Sequence, residues 1–147
     1  MKNVIYPLAL LVILITFSSS DTKPEEAKIL GAWELVDFYF YENNEVSDTV
    51  IPTEGYRQVK MYTKDRVMWT RSAPVDSTEW FGYGRYITTD DRLIETLEYG
   101  SNSMMQIIDT MRMFTFELQI DKDHFRQITL DENGNRFSSE NYKRIDQ

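Results

Sequence analysis

Residues 80–99 read WFGYGRYITTDDRLIETLEY, and this stretch decides the fold class. Its two halves, 80–88 and 92–99, are rich in the aromatic and β-branched side chains that favour strands. Asp90 and Asp91 stand between the two halves, where they suit a tight turn. The stretch therefore predicts an antiparallel hairpin, and similar strand and turn patterns follow one another along most of the chain.

The hairpin pattern extends in both directions to give about eight strands. They are predicted over residues 31–42, 55–64, 66–73, 80–88, 92–99, 111–121, 124–131 and 136–145. The connections are short, and Asn133-Gly134 is the strongest hairpin signal among them. Strands joined one to the next by short turns favour an all-β protein with a single antiparallel up-and-down barrel. A β-sandwich is the alternative, because strand count alone does not separate the two.

The N-terminus has the pattern of a secretory signal peptide. Lys2 precedes an apolar run at residues 4–17, and three serines follow at 18–20. The run has 14 residues, fewer than the roughly 20 that a membrane-spanning helix needs. We therefore expect cleavage after Ser20, with an uncleaved membrane anchor as the alternative.

These features divide the chain into three parts. Residues 1–20 are the predicted signal peptide, 21–29 a polar tether with a short helical turn, and 30–147 the barrel domain. Serines stand where a lipoprotein would carry its acylated cysteine. The expected location is therefore the periplasm or the medium, with no stable membrane insertion after cleavage.

Composition excludes several classes of function. The chain has 147 residues, a net charge of −8 and no cysteine. An acidic surface disfavours nucleic acid and anionic lipid as partners. Without cysteine there are no disulfides, and with His124 as the single histidine neither a zinc site nor a serine triad is expected. We expect no metal and no cofactor.

Five segments occur in an order that is informative. They are Leu30–Val36 with Gly31-Ala32-Trp33, Val67–Trp69, Gly82–Tyr86, Leu93–Tyr99 and Glu140–Ile145. This series resembles the exported lipocalin-like domains of Bacteroidetes-type bacteria, a family of unassigned function. The resemblance implies a calycin barrel and, by analogy, small-molecule binding. It implies no catalytic residues.

The first and last strands must pair if the barrel closes. Trp33 lies near the start of its strand and Arg144 near the end of its own, so antiparallel pairing brings them to the same end. A guanidinium over an indole is a favourable contact. We therefore predict that Trp33 and Arg144 are in contact and close one end of the barrel, with a structural role. The ligand would then enter at the opposite end.

Side-chain alternation selects the candidate ligand-binding residues. In the strand 92–99, Leu93, Glu95, Leu97 and Tyr99 share the more apolar face, which places the Glu95 carboxylate inside and in need of a partner. The candidate partners are Arg71, Tyr86 and Arg112. The full predicted set is Trp69, Arg71, Tyr86, Glu95, Tyr99, Arg112 and Tyr142. The competing interpretation is a packed polar core in which these charges only neutralise one another.

Three functions remain open from the sequence. The first is a binding protein for a small amphipathic or hydrophobic molecule. The second is a structural or interaction module with a filled barrel, suggested by the four consecutive rings at residues 38–41. The third is an enzyme that uses Glu95, alone or with Glu140. The methionine-rich stretch 104–113 would form either a flap over the mouth or an ordinary edge of the core. The oligomeric state and the ligand are left undetermined.

Overall fold

The computed structural model describes residues 28–146. The strands are β1 (Gly31–Glu42), β2 (Glu45–Val50), β3 (Arg57–Tyr62), β4 (Arg66–Ala73), β5 (Asp76–Thr88), β6 (Arg92–Gly100), β7 (Met113–Ile120), β8 (His124–Leu130) and β9 (Arg136–Arg144). One helix, α1 (Asn102–Ile108), joins β6 to β7. Among the described residues, no helix is both long and apolar enough to cross a bilayer.

The predicted signal peptide, residues 1–20, lies outside the described residues, as does the predicted tether up to residue 27. Lys28 and Ile29 are helical, at the position where the short helical turn was expected.

The strands close into a ring. From β3 to β9 each strand pairs antiparallel with the next, β1 pairs with β3 on one side, and β1 pairs with β9 on the other. Within the described chain the ring therefore has eight strands, β1 and β3–β9, while β2 pairs only with the second half of β1. The predicted all-β, antiparallel up-and-down barrel of about eight strands is confirmed.

Alternation along the strands builds the core. In β6 the residues Leu93, Glu95 and Leu97 are buried, and their neighbours in sequence are less so. In β4 Val67 and Trp69 are buried in the same way. The inward rows of the ring meet at its centre, so the apolar core lies inside the barrel.

Two elements were not predicted. β2 has the sequence EVSDTV and is exposed along its whole length, so it carries no inward apolar row that would mark it as a strand. The feature of the sequence that indicates this hairpin is the Asn43-Asn44 pair. Both residues take positive φ angles, 52° and 65°, as the two central residues of a type I′ turn do. The helix α1 lies in the methionine-rich stretch that was expected to form a flap or an edge of the core, and its Met104 and Ile108 are buried one turn apart.

Candidate functional site

One end of the barrel is closed by Trp33. Its side chain is fully buried, and its ring packs edge-on against Phe125 with centroids 5.0 Å apart. The Arg144 guanidinium lies 4.0 Å from the Trp33 ring centre, and the two residues are direct partners in the β1–β9 ladder. The predicted contact is confirmed.

The Arg144 side chain also ties three chain segments together at this end. It donates hydrogen bonds to the carbonyl oxygens of Leu30 at 2.6 Å, Lys28 at 2.6 Å and Lys122 at 2.9 Å. Trp33 Nε1 donates to the Ile29 carbonyl at 2.8 Å. The polar atoms of this closure are therefore satisfied by backbone carbonyls.

A cavity of about 320 Å³ lies toward the opposite end. On β1 it is lined by Phe38 and Phe40, which lie further along the strand than Trp33. Met104 of α1 also faces it, and α1 connects strands at the end away from Trp33. The remaining lining residues are Gln58, Lys60, Trp69, Arg71, Glu95, Leu97, Phe114, Phe116, Gln127, Thr129, Ser138, Ser139 and Glu140.

A buried ion pair forms one side of the cavity floor. Lys60 Nζ lies 2.9 Å from Glu95 Oε1 and 3.1 Å from Oε2, and Glu95 is only 3% exposed. Lys60 also donates to Gln127 Oε1 at 2.6 Å, and the Tyr62 hydroxyl donates to Glu95 Oε1 at 2.5 Å. This cluster satisfies its own charges, as a buried ion pair must.

A second cluster surrounds Glu140. Its Oε2 atom accepts hydrogen bonds from Gln58 Nε2 at 3.1 Å, Gln127 Nε2 at 2.9 Å and the Tyr142 hydroxyl at 2.5 Å. Gln58 Nε2 also donates to the Tyr142 oxygen at 2.6 Å. Gln127 bonds to both Lys60 and Glu140 and so joins the two clusters.

The two tyrosines stay protonated at the floor. Burial raises the pKa of the Tyr62 hydroxyl well above its ordinary value of 10.0, and the Glu95 carboxylate raises it further. Burial and the Glu140 carboxylate do the same to the pKa of Tyr142. Both hydroxyls therefore act as donors to the carboxylates at neutral pH.

Arg71 brings a cation to the cavity wall. Its Nε atom donates to Gln58 Oε1 at 3.0 Å, and its guanidinium lies 5.7 Å from the Trp80 ring centre. The Tyr56 hydroxyl donates to the same Gln58 oxygen at 2.8 Å. Gln58 thus links the guanidinium on one side to the Glu140 cluster on the other.

Solved structures with the same architecture give the barrel its fold name. A lipocalin-like protein from Bacteroides uniformis superposes with a TM-score of 0.55 at 10% identity, covering 80% of this chain and 99% of that one. The fold is lipocalin-like. An uncharacterised protein from Bacteroides eggerthii gives a TM-score of 0.51 at 15% identity, with the same coverage of both chains. No protein-family model matches the chain, and neither does any curated protein sequence.

Three predicted ligand-binding residues line the cavity of the lipocalin-like barrel, namely Trp69, Arg71 and Glu95. Tyr142 lies just beneath it, where its hydroxyl supports Glu140. Tyr86 lies deeper, against Tyr62, and donates to the Thr63 carbonyl at 2.7 Å. It is therefore a packing residue of the lower barrel and does not line the cavity.

The predicted inward position of Tyr99 is wrong. Tyr99 pairs with Tyr83, but Leu97 pairs with the very next residue, Gly84, so Glu98 is an extra residue on β6. This bulge reverses the alternation, and Tyr99 lies on the outer surface, 53% exposed and packed against Tyr83. Gly84 permits the bulge, because a Cβ atom there would lie 2.2 Å from the Thr96 carbonyl oxygen.

The predicted inward position of Arg112 is also wrong. β7 begins at Met113, and Arg112 is exposed on the connection from α1. Its backbone oxygen accepts a hydrogen bond from Leu97 N at 2.9 Å, so the chain pairs there through its backbone. The side chain lies outside the cavity lining.

The residue that sequence reasoning missed is Lys60, the true partner of Glu95. β3 has the sequence RQVKMY, and its buried residues are Gln58, Lys60 and Tyr62. Alternation alone would have grouped these three, but a lysine within the row is an unusual inward residue. The unmatched carboxylate on β6 was the signal that one strand must carry an inward cation.

The four consecutive rings at residues 38–41 do not form one exposed patch. Phe38 and Phe40 line the cavity, and the Arg126 guanidinium lies 4.7 Å from the ring centre of Tyr39. Tyr41 is buried, with its hydroxyl 3.2 Å from Ser139 Oγ. Among the side chains that the structure describes, no group of three or more acidic, histidine or cysteine residues could hold a metal ion.

Proposed function

We propose that this protein is an exported carrier or sensor that holds a small amphipathic molecule in the barrel cavity. The observation that carries the proposal is the cavity itself. Its volume of about 320 Å³ falls in the range of small-molecule sites, roughly 300–1,000 Å³. Aromatic walls and a few placed polar groups are also typical of such sites.

The wall and floor of the cavity suit an amphipathic occupant. Its apolar wall carries the rings of Phe38, Trp69, Phe114 and Phe116. Its polar groups are held in place by one another, since Lys60, Glu95, Gln127 and Glu140 share a single hydrogen-bond network. A network that is already connected orders the site before a ligand arrives, which reduces the entropy lost on binding.

Fluorescence titration with aminoanthracene, a neutral aromatic probe, tests whether the cavity is a binding site. We expect saturable binding that Ser138→Phe abolishes, because Ser138 lines the cavity and a benzyl group there would fill it. Thr70→Phe is the matched control, since Thr70 is exposed on the outer face of β4. Equal binding by wild type and both variants would place the probe elsewhere and count against the cavity.

Native mass spectrometry of the protein recovered from bacterial periplasm tests binding and export together. We expect an intact mass lacking residues 1–20 and an additional mass from a bound molecule. A protein that retains its first twenty residues in the membrane fraction would contradict cleavage and release. Such a result would leave the cavity titration unaffected, so the two parts of the proposal are tested separately.

A further inference from the structure

The polar groups of the cavity differ in how much bonding capacity they have left. Lys60 and Glu95 bond to each other, and Gln127 and Tyr62 supply their further partners. Glu140 is different, because all three of its donors converge on Oε2. No residue of the described chain donates to Oε1, so Glu140 offers the cavity one carboxylate oxygen as an acceptor.

Arg71 has the complementary capacity. Its Nε atom donates to Gln58, but its two terminal nitrogens have no hydrogen-bond partner among the side chains that the structure describes. Packing beside Trp80 holds the guanidinium in place at the cavity wall. A guanidinium with both terminal nitrogens available is suited to a carboxylate, which it binds through two parallel hydrogen bonds.

The separation of the two groups is set by Gln58. Arg71 Nε bonds to its amide oxygen at 3.0 Å, and its amide nitrogen bonds to Glu140 at 3.1 Å. Two hydrogen bonds and one amide group therefore lie between the cation and the carboxylate, a span of at most roughly 8 Å. The aromatic wall formed by Phe38, Phe114 and Phe116 belongs to the same cavity.

We propose that the cavity selects a small phenolic acid, whose carboxylate pairs with Arg71 and whose hydroxyl donates to Glu140 Oε1. The ring between these two groups packs against the aromatic wall, where offset or edge-on ring contacts are favourable. A hydroxyl is the better donor here than an ammonium group, because a second charged group would have to lose its hydration on entering the cavity. This inference rests on the proposed binding function.

Competition against bound aminoanthracene tests the selectivity with three compounds of nearly equal size. They are p-hydroxyphenylpropionate, phenylpropionate, which lacks the hydroxyl, and p-propylphenol, which lacks the carboxylate. We expect the first to compete at about tenfold lower concentration than either of the others, since one charge-assisted hydrogen bond contributes about that factor.

Two variants identify the responsible side chains. With Arg71→Gln, p-hydroxyphenylpropionate should no longer compete at lower concentration than p-propylphenol, but should still compete at lower concentration than phenylpropionate. With Glu140→Gln, the advantage of p-hydroxyphenylpropionate over phenylpropionate should be lost and its advantage over p-propylphenol should remain. Three donors surround the Oε2 position, so the amide oxygen of the new glutamine must take that position. The amide NH2 then takes the Oε1 position, which becomes a donor and can no longer accept the ligand hydroxyl. Arg85→Gln, an exposed substitution on the outer face of β5, is the control and should change neither ratio.

The possible outcomes separate the two proposals. If aminoanthracene binds in the cavity but the three compounds compete equally, the phenolic-acid inference is wrong and the binding function stands. The same holds if the selectivity is present but neither variant changes it. If neither the probe nor any of the compounds binds, both proposals fail.

Discussion

The two ends of the barrel use different interactions to bury polar groups. At the closed end, Trp33 and Arg144 donate to backbone carbonyls, and the surrounding side chains are aromatic. At the cavity end, Lys60, Glu95 and Glu140 bond to other side chains. Backbone carbonyls stay in place when a side chain is replaced, whereas a side-chain network loses its partners. The closed end therefore rests on partners that a side-chain substitution does not remove, whereas a substitution at the cavity end leaves neighbouring side chains without theirs.

Tyr142 joins the two ends. Its ring stacks on Phe125 with centroids 4.6 Å apart and an interplanar angle of 8°, while its hydroxyl donates to Glu140. One side chain thus belongs to the aromatic packing below and to the polar network above. The comparison between the ends can be tested at each of them and at this link.

The largest effect is expected at the closed end. Trp33→Ala should lower the free energy of unfolding by about 3–5 kcal/mol, because it removes a large, fully buried ring and leaves a cavity. That is much of the roughly 5–15 kcal/mol that holds a domain of this kind. Denaturant unfolding followed by circular dichroism measures it. Phe40→Ala at the cavity mouth is the control and should cost less than half as much, and an equal cost would refute the distinction.

Breaking the buried ion pair should have the next largest effect. Lys60→Met leaves the Glu95 carboxylate buried without its cation, which should cost about 3 kcal/mol. Adding Glu95→Leu to that variant should recover most of the loss, because neither charge of the pair then remains in the interior. Both are measured by denaturant unfolding at neutral pH. A double variant no more stable than the single one would show that the ion pair is not the source of the cost.

A smaller loss is expected from Arg144→Ala. The variant gives up three hydrogen bonds to carbonyls and the contact with the Trp33 ring, but the side chain lies partly at the surface. We expect a loss of about 2 kcal/mol in unfolding free energy, less than for Trp33→Ala. Aminoanthracene affinity should not change, because the cavity is at the opposite end. A weakened affinity in a folded variant would mean that the two ends are coupled.

The smallest effect concerns pH and the Tyr142 link. The pKa values of Tyr62 and Tyr142 are raised in the folded state, so their contribution to stability is complete below pH 10.0. It is lost as the pH rises from there through the folded-state pKa values, because the unfolded chain releases these protons first. Urea midpoints should therefore fall above pH 10.0, and Tyr142→Phe should reduce the slope. An identical slope in wild type and variant would contradict this.

The sequence predicted the fold because the ring is built from local patterns. The stretch 80–99 holds two strand patterns separated by Asp90-Asp91, and the structure forms that hairpin. The predicted contact of Trp33 with Arg144 is also confirmed, since antiparallel closure brings the start of the first strand and the end of the last strand to the same end of the barrel. Both predictions depend only on strand period and strand order.

The site was less predictable because it depends on exceptions to that period. A single bulged residue, Glu98, moved Tyr99 from the interior to the surface. The partner of Glu95 was an inward lysine on another strand, and no rule of alternation chooses between Lys60 and Arg71 for that role. Which buried charges pair depends on the distances between side chains in the folded protein, and strand alternation in the sequence does not determine those distances.

The pairing of β1 with β9 also has a consequence for the order of folding. The pairs from β3 to β9 join strands that follow one another in the chain, through short turns or, between β6 and β7, through α1, so they can form soon after their residues are available. The pairing of β1 with β9 is different, because Trp33 on β1 lies more than a hundred residues before its partner Arg144 on β9. The edge of β1 that faces β9 therefore stays unpaired until β9 is in place. We therefore expect ring closure to be the slow step of folding, and until it occurs the first strand would present an unpaired edge to other chains. We expect that a chain shortened by its last strand would lose both pairings of β9 and could not close the barrel.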